Sequence, residues 1–485
     1  KFDPKDPGKG LVNLGKMAES ETYVWALANG EGDDCIYGCT YGNGKVVSYN
    51  TRTGEMRDYG QLSPGQQYTR PIVVGKDGWV YTTVGTTEPD YMALDPRTGE
   101  HQSSRPAELA GTPVTELEKG GWGQFRKGVD GHAYQRDCGK WYRLVAGKAE
   151  PIADADLPAG MVPALKDGSR LVGVYPEGRW VLRDPATNAE TSGEFAYESA
   201  GMEAFVIGEG PDGCIYGSTM LPLWLFRTDP RTGLHEVLGN PSKSSGELYS
   251  FLTLDGLLWT FGYPNAYVSS YDPTRPWSFG DAPENNPRNF GAMGDGHLRP
   301  RAVILGPQRQ IYVGSYAPYG ELGGAMGVFD PATGKVTENC RNLIPNQSIC
   351  ALAHDEASGL VFGGTSTAGG GGTQPTEKEA VFFAWDPVQK KLVNQCVAVA
   401  GDTTTPAMVV ANGKVFIVTR PSNTLSVYDI ASATMIDHRP IAHGPLVEIC
   451  LGLHSDGMIY GMTNQAIIRI DPATHEISRL ATWDK

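Results

Sequence analysis

Short apolar stretches separated by polar, glycine-rich turns run along the whole chain. The first four are Tyr23-Val24-Trp25-Ala26-Leu27, Cys35-Ile36-Tyr37-Gly38, Lys45-Val46-Val47-Ser48-Tyr49 and Met56-Arg57-Asp58-Tyr59. They alternate with period two or are apolar throughout, the patterns of half-buried and fully buried β-strands. The set then restarts nine times. Its leading strands begin near Arg70-Pro71-Ile72, Gln124-Phe125-Arg126, Val162-Pro163-Ala164, Ala204-Phe205-Val206, Leu248-Tyr249-Ser250, Arg301-Ala302-Val303, Ile349-Cys350-Ala351, Pro406-Ala407-Met408 and Leu446-Val447-Glu448. The strand that follows each often comes after Asp-Gly and carries a tyrosine, as in Trp79-Val80-Tyr81, Cys214-Ile215-Tyr216 and Met458-Ile459-Tyr460.

A turn phrase punctuates the repeat. Asp330-Pro331-Ala332-Thr333-Gly334 has copies at Asn50–Gly54, Asp95–Gly99, Asp184–Asn188, Asp229–Gly233 and Asp471–His475. Asp caps such a turn, Pro pre-sets its φ, and Gly or Asn takes the positive φ. Ten units in 485 residues give a period of about 48, that of four-stranded propeller blades. The expectation is an all-β protein, a β-propeller of about ten blades in one ring over 21–485; seven or eight blades, or two smaller propellers, are the alternatives. Residues 1–20 are read as an N-terminal segment whose Leu11–Leu14 supplies a ring-closing strand.

Composition agrees and excludes some functions. Glycine (62) and proline (34) are abundant and only 20% of residues are charged, as turn-rich β-proteins are. The net charge of −14 disfavours a nucleic-acid partner, because phosphate contacts dominate that affinity. No apolar run reaches the ~20 residues of a membrane span. Eight cysteines form no CxxC or zinc pattern and read as mostly free, buried thiols. Periplasmic or secreted placement is slightly favoured.

Chemistry is expected opposite the Asp-Pro turns, where the long segments lie: 100–122, 263–267, 276–300, 316–324 and 365–379, the last a flexible lid around Gly369–Gly372. Arg70, Arg299 and Arg301 sit at the starts of leading strands, and a guanidinium there suits a carboxylate. His297 and His443 fall in crossovers on that face, Glu203 and Glu448 on or beside leading strands, and Tyr68, Tyr249, Tyr263, Tyr316 and Tyr319 around them. His297, His443, Tyr249, Arg70 and Arg301 are the catalytic candidates. Arg299, Tyr68, Tyr263, Tyr316, Tyr319, Glu203 and Glu448 are the substrate-binding ones. There is no GxSxG, HExxH or EF-hand loop.

Through Asp330–Gly334 and its copies the chain resembles bacterial Asp-Pro-x-Thr-Gly repeat propellers, among them quinoprotein-like repeats, gluconolactonase-type propellers and polysaccharide lyases. The quinoprotein docking tryptophan is missing, since Val336-Thr337-Glu338 follows the turn. The likeness to ulvan and rhamnose–glucuronate lyases implies β-elimination next to a uronic acid: arginine neutralises the carboxylate, and histidine or tyrosine moves the protons. A glycoside hydrolase using Glu203 and Glu448, or a non-catalytic propeller binding a glycan or a protein, is the alternative. The implied partner is an oligo- or polysaccharide. No cofactor is expected, save a structural or catalytic Ca²⁺ of the gluconolactonase kind.

Overall fold

The computed structural model describes residues 12–21, 23–85, 90–110, 124–158, 169–174, 179–184, 186–194 and 203–482. The protein is all-β and propeller-like, built of four-stranded antiparallel sheets in sequence order. Its contacts divide it into two units, Lys1–Ala200 and Gly201–Lys485.

The second unit holds six sheets. Their leading strands are Ala204–Glu209, Leu248–Leu254, Arg299–Leu305, Ser348–His354, Thr404–Ala411 and Leu446–Leu453. Successive leading strands lie side by side. Each sheet then runs outward through its second, third and fourth strands. Two of these sheets are joined into one of eight strands by the single pair Ser366–Thr404. Apolar residues from facing sheets fill the space between them, as where Phe362 and Phe382 meet Met408, Val415, Ile417 and Tyr428.

The first unit holds sheets led by Tyr23–Asn29, Tyr68–Val74 and Gln124–Lys127, and a fourth with three described strands, Arg170–Val174, Arg179–Arg183 and Glu190–Glu194. The leading strand expected near Val162-Pro163-Ala164 lies outside the described residues. In the N-terminal segment, residues 12–21 carry no strand. Glu21 is instead buried and accepts the hydroxyl of Thr40 at 2.7 Å.

The Asp-Pro turns are third-to-fourth connections, as expected. In one, Gly334 N–H donates to the Asp330 carbonyl at 2.8 Å and Ala332 N–H to the Asp330 carboxylate at 2.9 Å. Gly334 has φ +68, and a Cβ there would come within 2.7 Å of the Phe290 ring. Gly334→Ala is therefore expected to cost about 1–2 kcal/mol, read as a lowered urea midpoint. The Asp-Gly turns between first and second strands have their own lock. Asp130 takes the hydroxyl of Tyr134 at 2.7 Å and Asp456 that of Tyr460 at 2.7 Å, a bond repeated by Asp33 and Tyr37.

Two loop readings are corrected. Much of 276–300 is not on the loop-rich end of its sheet: 272–287 joins the third strand, Tyr267–Tyr271, to the fourth, Arg288–Ala292. The glycines at 369–372 do not make a flexible lid. Gly370 N–H donates to the Glu321 carbonyl at 2.9 Å, and Gly371 accepts from Gly320 N–H at 3.1 Å. A Cβ on Gly370 would lie 1.7 Å from the Pro318 carbonyl oxygen, so these glycines let two loops pack backbone to backbone. Cys39, Cys214 and Cys350 are buried thiols, and Cys35, Cys340, Cys396 and Cys450 are half-buried.

Candidate functional site

Every leading strand of the second unit is interrupted near its start. Phe205, Tyr249 and Cys350 are each one residue too many for the partner strand. Pro300-Arg301 and Thr405-Pro406 are two residues against one, and Val447–Cys450 bulge more widely. A β-bulge bends the strand and re-aims its side chain, which is why bulges gather at functional sites. Here they turn one residue per sheet toward its neighbours at the end where leading strands begin.

The bulge residues meet. Arg301 Nη1 lies 2.7 Å from Glu448 Oε2, and Arg420 Nη1 lies 4.0 Å from Glu448 Oε1. The Arg301 guanidinium covers the ring of Tyr249 at 4.8 Å and approaches that of Tyr316 at 5.9 Å. Tyr249 packs edge-on against Phe205. Arg299, two residues from Arg301, sits between the rings of Tyr263 and Tyr319 at 5.1 and 5.0 Å. Its Nη2 donates to the Tyr319 hydroxyl at 2.8 Å, and the Tyr263 and Tyr319 hydroxyls are 2.7 Å apart. Solvent reaches this group: the Arg301, Arg420 and Glu448 side chains are 23%, 25% and 40% exposed. The Nε of Arg301 and of Arg420 is buried without a hydrogen-bond partner among the described residues.

Burial sets the protonation of the surrounding groups. It pushes the Tyr249 phenol up to about 12, although Arg299 and Arg301 pull it down. It raises Tyr263 and Tyr316 as well. These phenols are neutral donors at neutral pH. Burial likewise pushes the Cys350 thiol up to about 11, so it is a packed hydrogen-bonding group, donating to the Thr405 carbonyl at 3.2 Å, and no thiolate nucleophile.

The expected site residues therefore separate. Arg299, Arg301, Tyr249, Tyr263, Tyr316, Tyr319 and Glu448 come together. Tyr249 is buried under Arg301, a floor to the site and not a group that faces solvent. His297 is corrected from catalytic to structural. It is 2% exposed, its Nδ1 is 2.7 Å from Ser315 Oγ, and its ring lies against Gly327, a residue of the third strand. His443 is half-buried in its crossover, where its carbonyl accepts the Thr463 hydroxyl. Glu203 is exposed and precedes its strand, and its carbonyl accepts Met220 N–H. Arg70 and Tyr68 belong to an arrangement within the first unit. Arg70 lies 4.7 Å over Trp25 and 5.4 Å over Tyr68, and Tyr68 is 4.5 Å from Tyr41. Arg70 and Trp25 are bulge residues too.

Two members escaped the sequence reading. Arg420 ends a second strand, and its signal was the Arg-Pro dipeptide it shares with Arg70-Pro71 and Arg299-Pro300. Glu247 directly precedes the strand Leu248–Leu254 and is buried. A charged residue in front of an apolar strand was the only mark it left.

No family model matches the chain, and no curated protein matches it. Among solved structures it is similar to the extracellular domain of a one-component system from B. thetaiotaomicron, at 10% identity and a TM-score of 0.41, over 95% of this chain and 66% of that one. It is also similar to a chain of a mitotic checkpoint complex, at 11% identity and a TM-score of 0.43, over 65% of this chain and 86% of the other. This chain thus spans 66% of the first neighbour's length. Among the described residues no helix is long and apolar enough to cross a membrane, and no group of three or more His, Cys, Asp or Glu could hold a metal ion.

Proposed function

We propose that the second unit takes a uronate-containing glycan and cleaves it by β-elimination. The observation that carries this reading is the meeting of Arg301, Arg420 and Glu448 on bulged or terminal strand positions, with the Nε of each arginine lacking a hydrogen-bond partner among the described residues. Two planar cations are suited to one carboxylate, which they hold by paired hydrogen bonds and whose charge they offset. The tyrosines offer flat faces and neutral O–H donors to sugar rings.

Neutralising the uronate carboxylate acidifies the proton on the adjacent carbon. Glu448, the part-exposed carboxylate of the group, accepts that proton. The C–H electron pair forms the new C=C bond as the C–O bond to the leaving sugar breaks, and the Tyr316 phenol protonates the departing oxygen. Tyr316 suits the role because it is half-buried, close to Arg301, and kept protonated by burial.

The test is absorbance near 232 nm, where the new C=C bond absorbs, while the protein meets a panel of uronate-containing glycans. Rising absorbance is expected. A flat trace with reducing ends still released would replace elimination by hydrolysis, and a flat trace with no release would leave a glycan-binding unit.

A further inference from the structure

Glu247 is the strangest group near this site. It is only 5% exposed, and its Oε2 has no hydrogen-bond partner among the described residues. A buried carboxylate normally collects donors or a cation, because an unmatched buried charge is costly. Glu247 sits among the residues that hold the two guanidinia: Tyr263 N–H donates to its carbonyl at 2.9 Å, the Tyr263 ring flanks Arg299 at 5.1 Å, and Tyr249, two residues along the chain, lies under Arg301 at 4.8 Å. Arg301 is already committed on its other side to Glu448, and Arg299 to Tyr319.

Two states follow. With Glu247 protonated, the floor beneath Arg299 and Arg301 is neutral, and their charge is available to an incoming anion. With Glu247 ionised, a second carboxylate competes for the same two cations. Burial favours the first state: it raises the Glu247 carboxyl above its ordinary 4.5 in spite of the opposing pull of Tyr249, Arg299 and Arg301.

We propose that Glu247 is a positioning residue that couples a proton to the ligand: a carboxylate-bearing saccharide docks on Arg299 and Arg301 with Glu247 protonated, and loss of that proton weakens the docking. This inference rests on the acidic-saccharide reading for its ligand, but the protonation of Glu247 can be tested without one. The coupling is reciprocal. A bound anion holds the proton on Glu247, and the proton holds the anion.

The experiment has two arms. In the first, urea unfolding of wild type and Glu247→Gln is compared from pH 4.5 to pH 8.5. A raised carboxyl pKa means that folding disfavours the ionised form, so wild type should lose stability relative to Glu247→Gln as pH rises above about 4.5. A difference that stays constant with pH overturns the proposal, whatever the ligand. In the second arm, a saturated-end-free oligogalacturonate and an oligoglucuronate are titrated calorimetrically in two buffers of different ionisation heat. Well above the carboxyl's pKa wild type should take up close to one proton per ligand, with affinity falling by up to about tenfold per pH unit, and below it uptake should vanish. Glu247→Gln should bind with affinity constant within about twofold and no proton uptake. Equal proton uptake by both proteins overturns the coupling. If neither saccharide binds while the stability difference grows with pH, the acidic-saccharide reading and the coupling built on it fall, and the proton on Glu247 stands.

Discussion

Arg301→Met is expected to lower kcat/KM on a uronate glycan by about 10²–10³-fold, the usual loss when one preorganised charge-stabilising group is removed from an active site. The change should fall on the chemistry. Arg301 meets Glu448 at 2.7 Å and covers Tyr249, so one truncation removes the carboxylate's neutraliser and frees the base from its partner. Folding should hardly respond. The Arg301–Glu448 pair is part-exposed, and such pairs contribute about 0–1 kcal/mol, so the melting temperature should move by only a few degrees. Arg301→Lys should recover little activity, since an ammonium lacks the planar fork that grips a carboxylate. Arg301→Met with more than about a third of wild-type activity would remove Arg301 from the mechanism. A folded but inactive Arg301→Lys would show that geometry, beyond charge, is required.

Acid is expected to unfold the second unit through His297. Burial lowers this imidazole from 6.5 to about 4, with Asn339 and Asp295 opposing the shift only weakly. A depressed folded pKa means that the unfolded chain binds the proton more readily. Stability is full above about 6.5 and is lost as pH falls toward 4. The span corresponds to about 3 kcal/mol at 1.36 kcal/mol per unit, an order-of-magnitude figure. His297→Gln keeps a polar group facing Ser315 but cannot titrate. Urea midpoints at pH 7 and pH 4.5 should converge for the two proteins at the lower pH, with wild type falling the faster. Parallel midpoints would mean that His297 is already protonated or is solvated in the folded state. For function it is the enclosure that matters: at 2% exposure the imidazole is closed off from solvent and packed beside Ser315.

The strands, the turns and their order were legible from local patterns. Period-two alternation marks half-buried strands, Asp-Pro-x-Thr-Gly encodes a turn through side-chain capping and one positive φ, and both act within a few residues. The repeat of four-stranded antiparallel units came from the same signals. Arginine at the strand starts was legible as well, because a charged residue in an apolar strand asks for a partner.

Other features were decided only by tertiary structure. A bulge depends on the pairing register of two strands, so nothing local to Tyr249, Arg301 or Glu448 shows which way each side chain turns. His297 and Arg299 are two residues apart, yet the histidine is enclosed beside Ser315 while the arginine lies between two tyrosines. The glycines at 369–372 read as a flexible lid until the neighbouring loop was seen packed against them. Glu247 was the hardest to read. Its meaning lies in desolvation, and burial is a property of everything packed around a residue, which its own place in the chain does not carry.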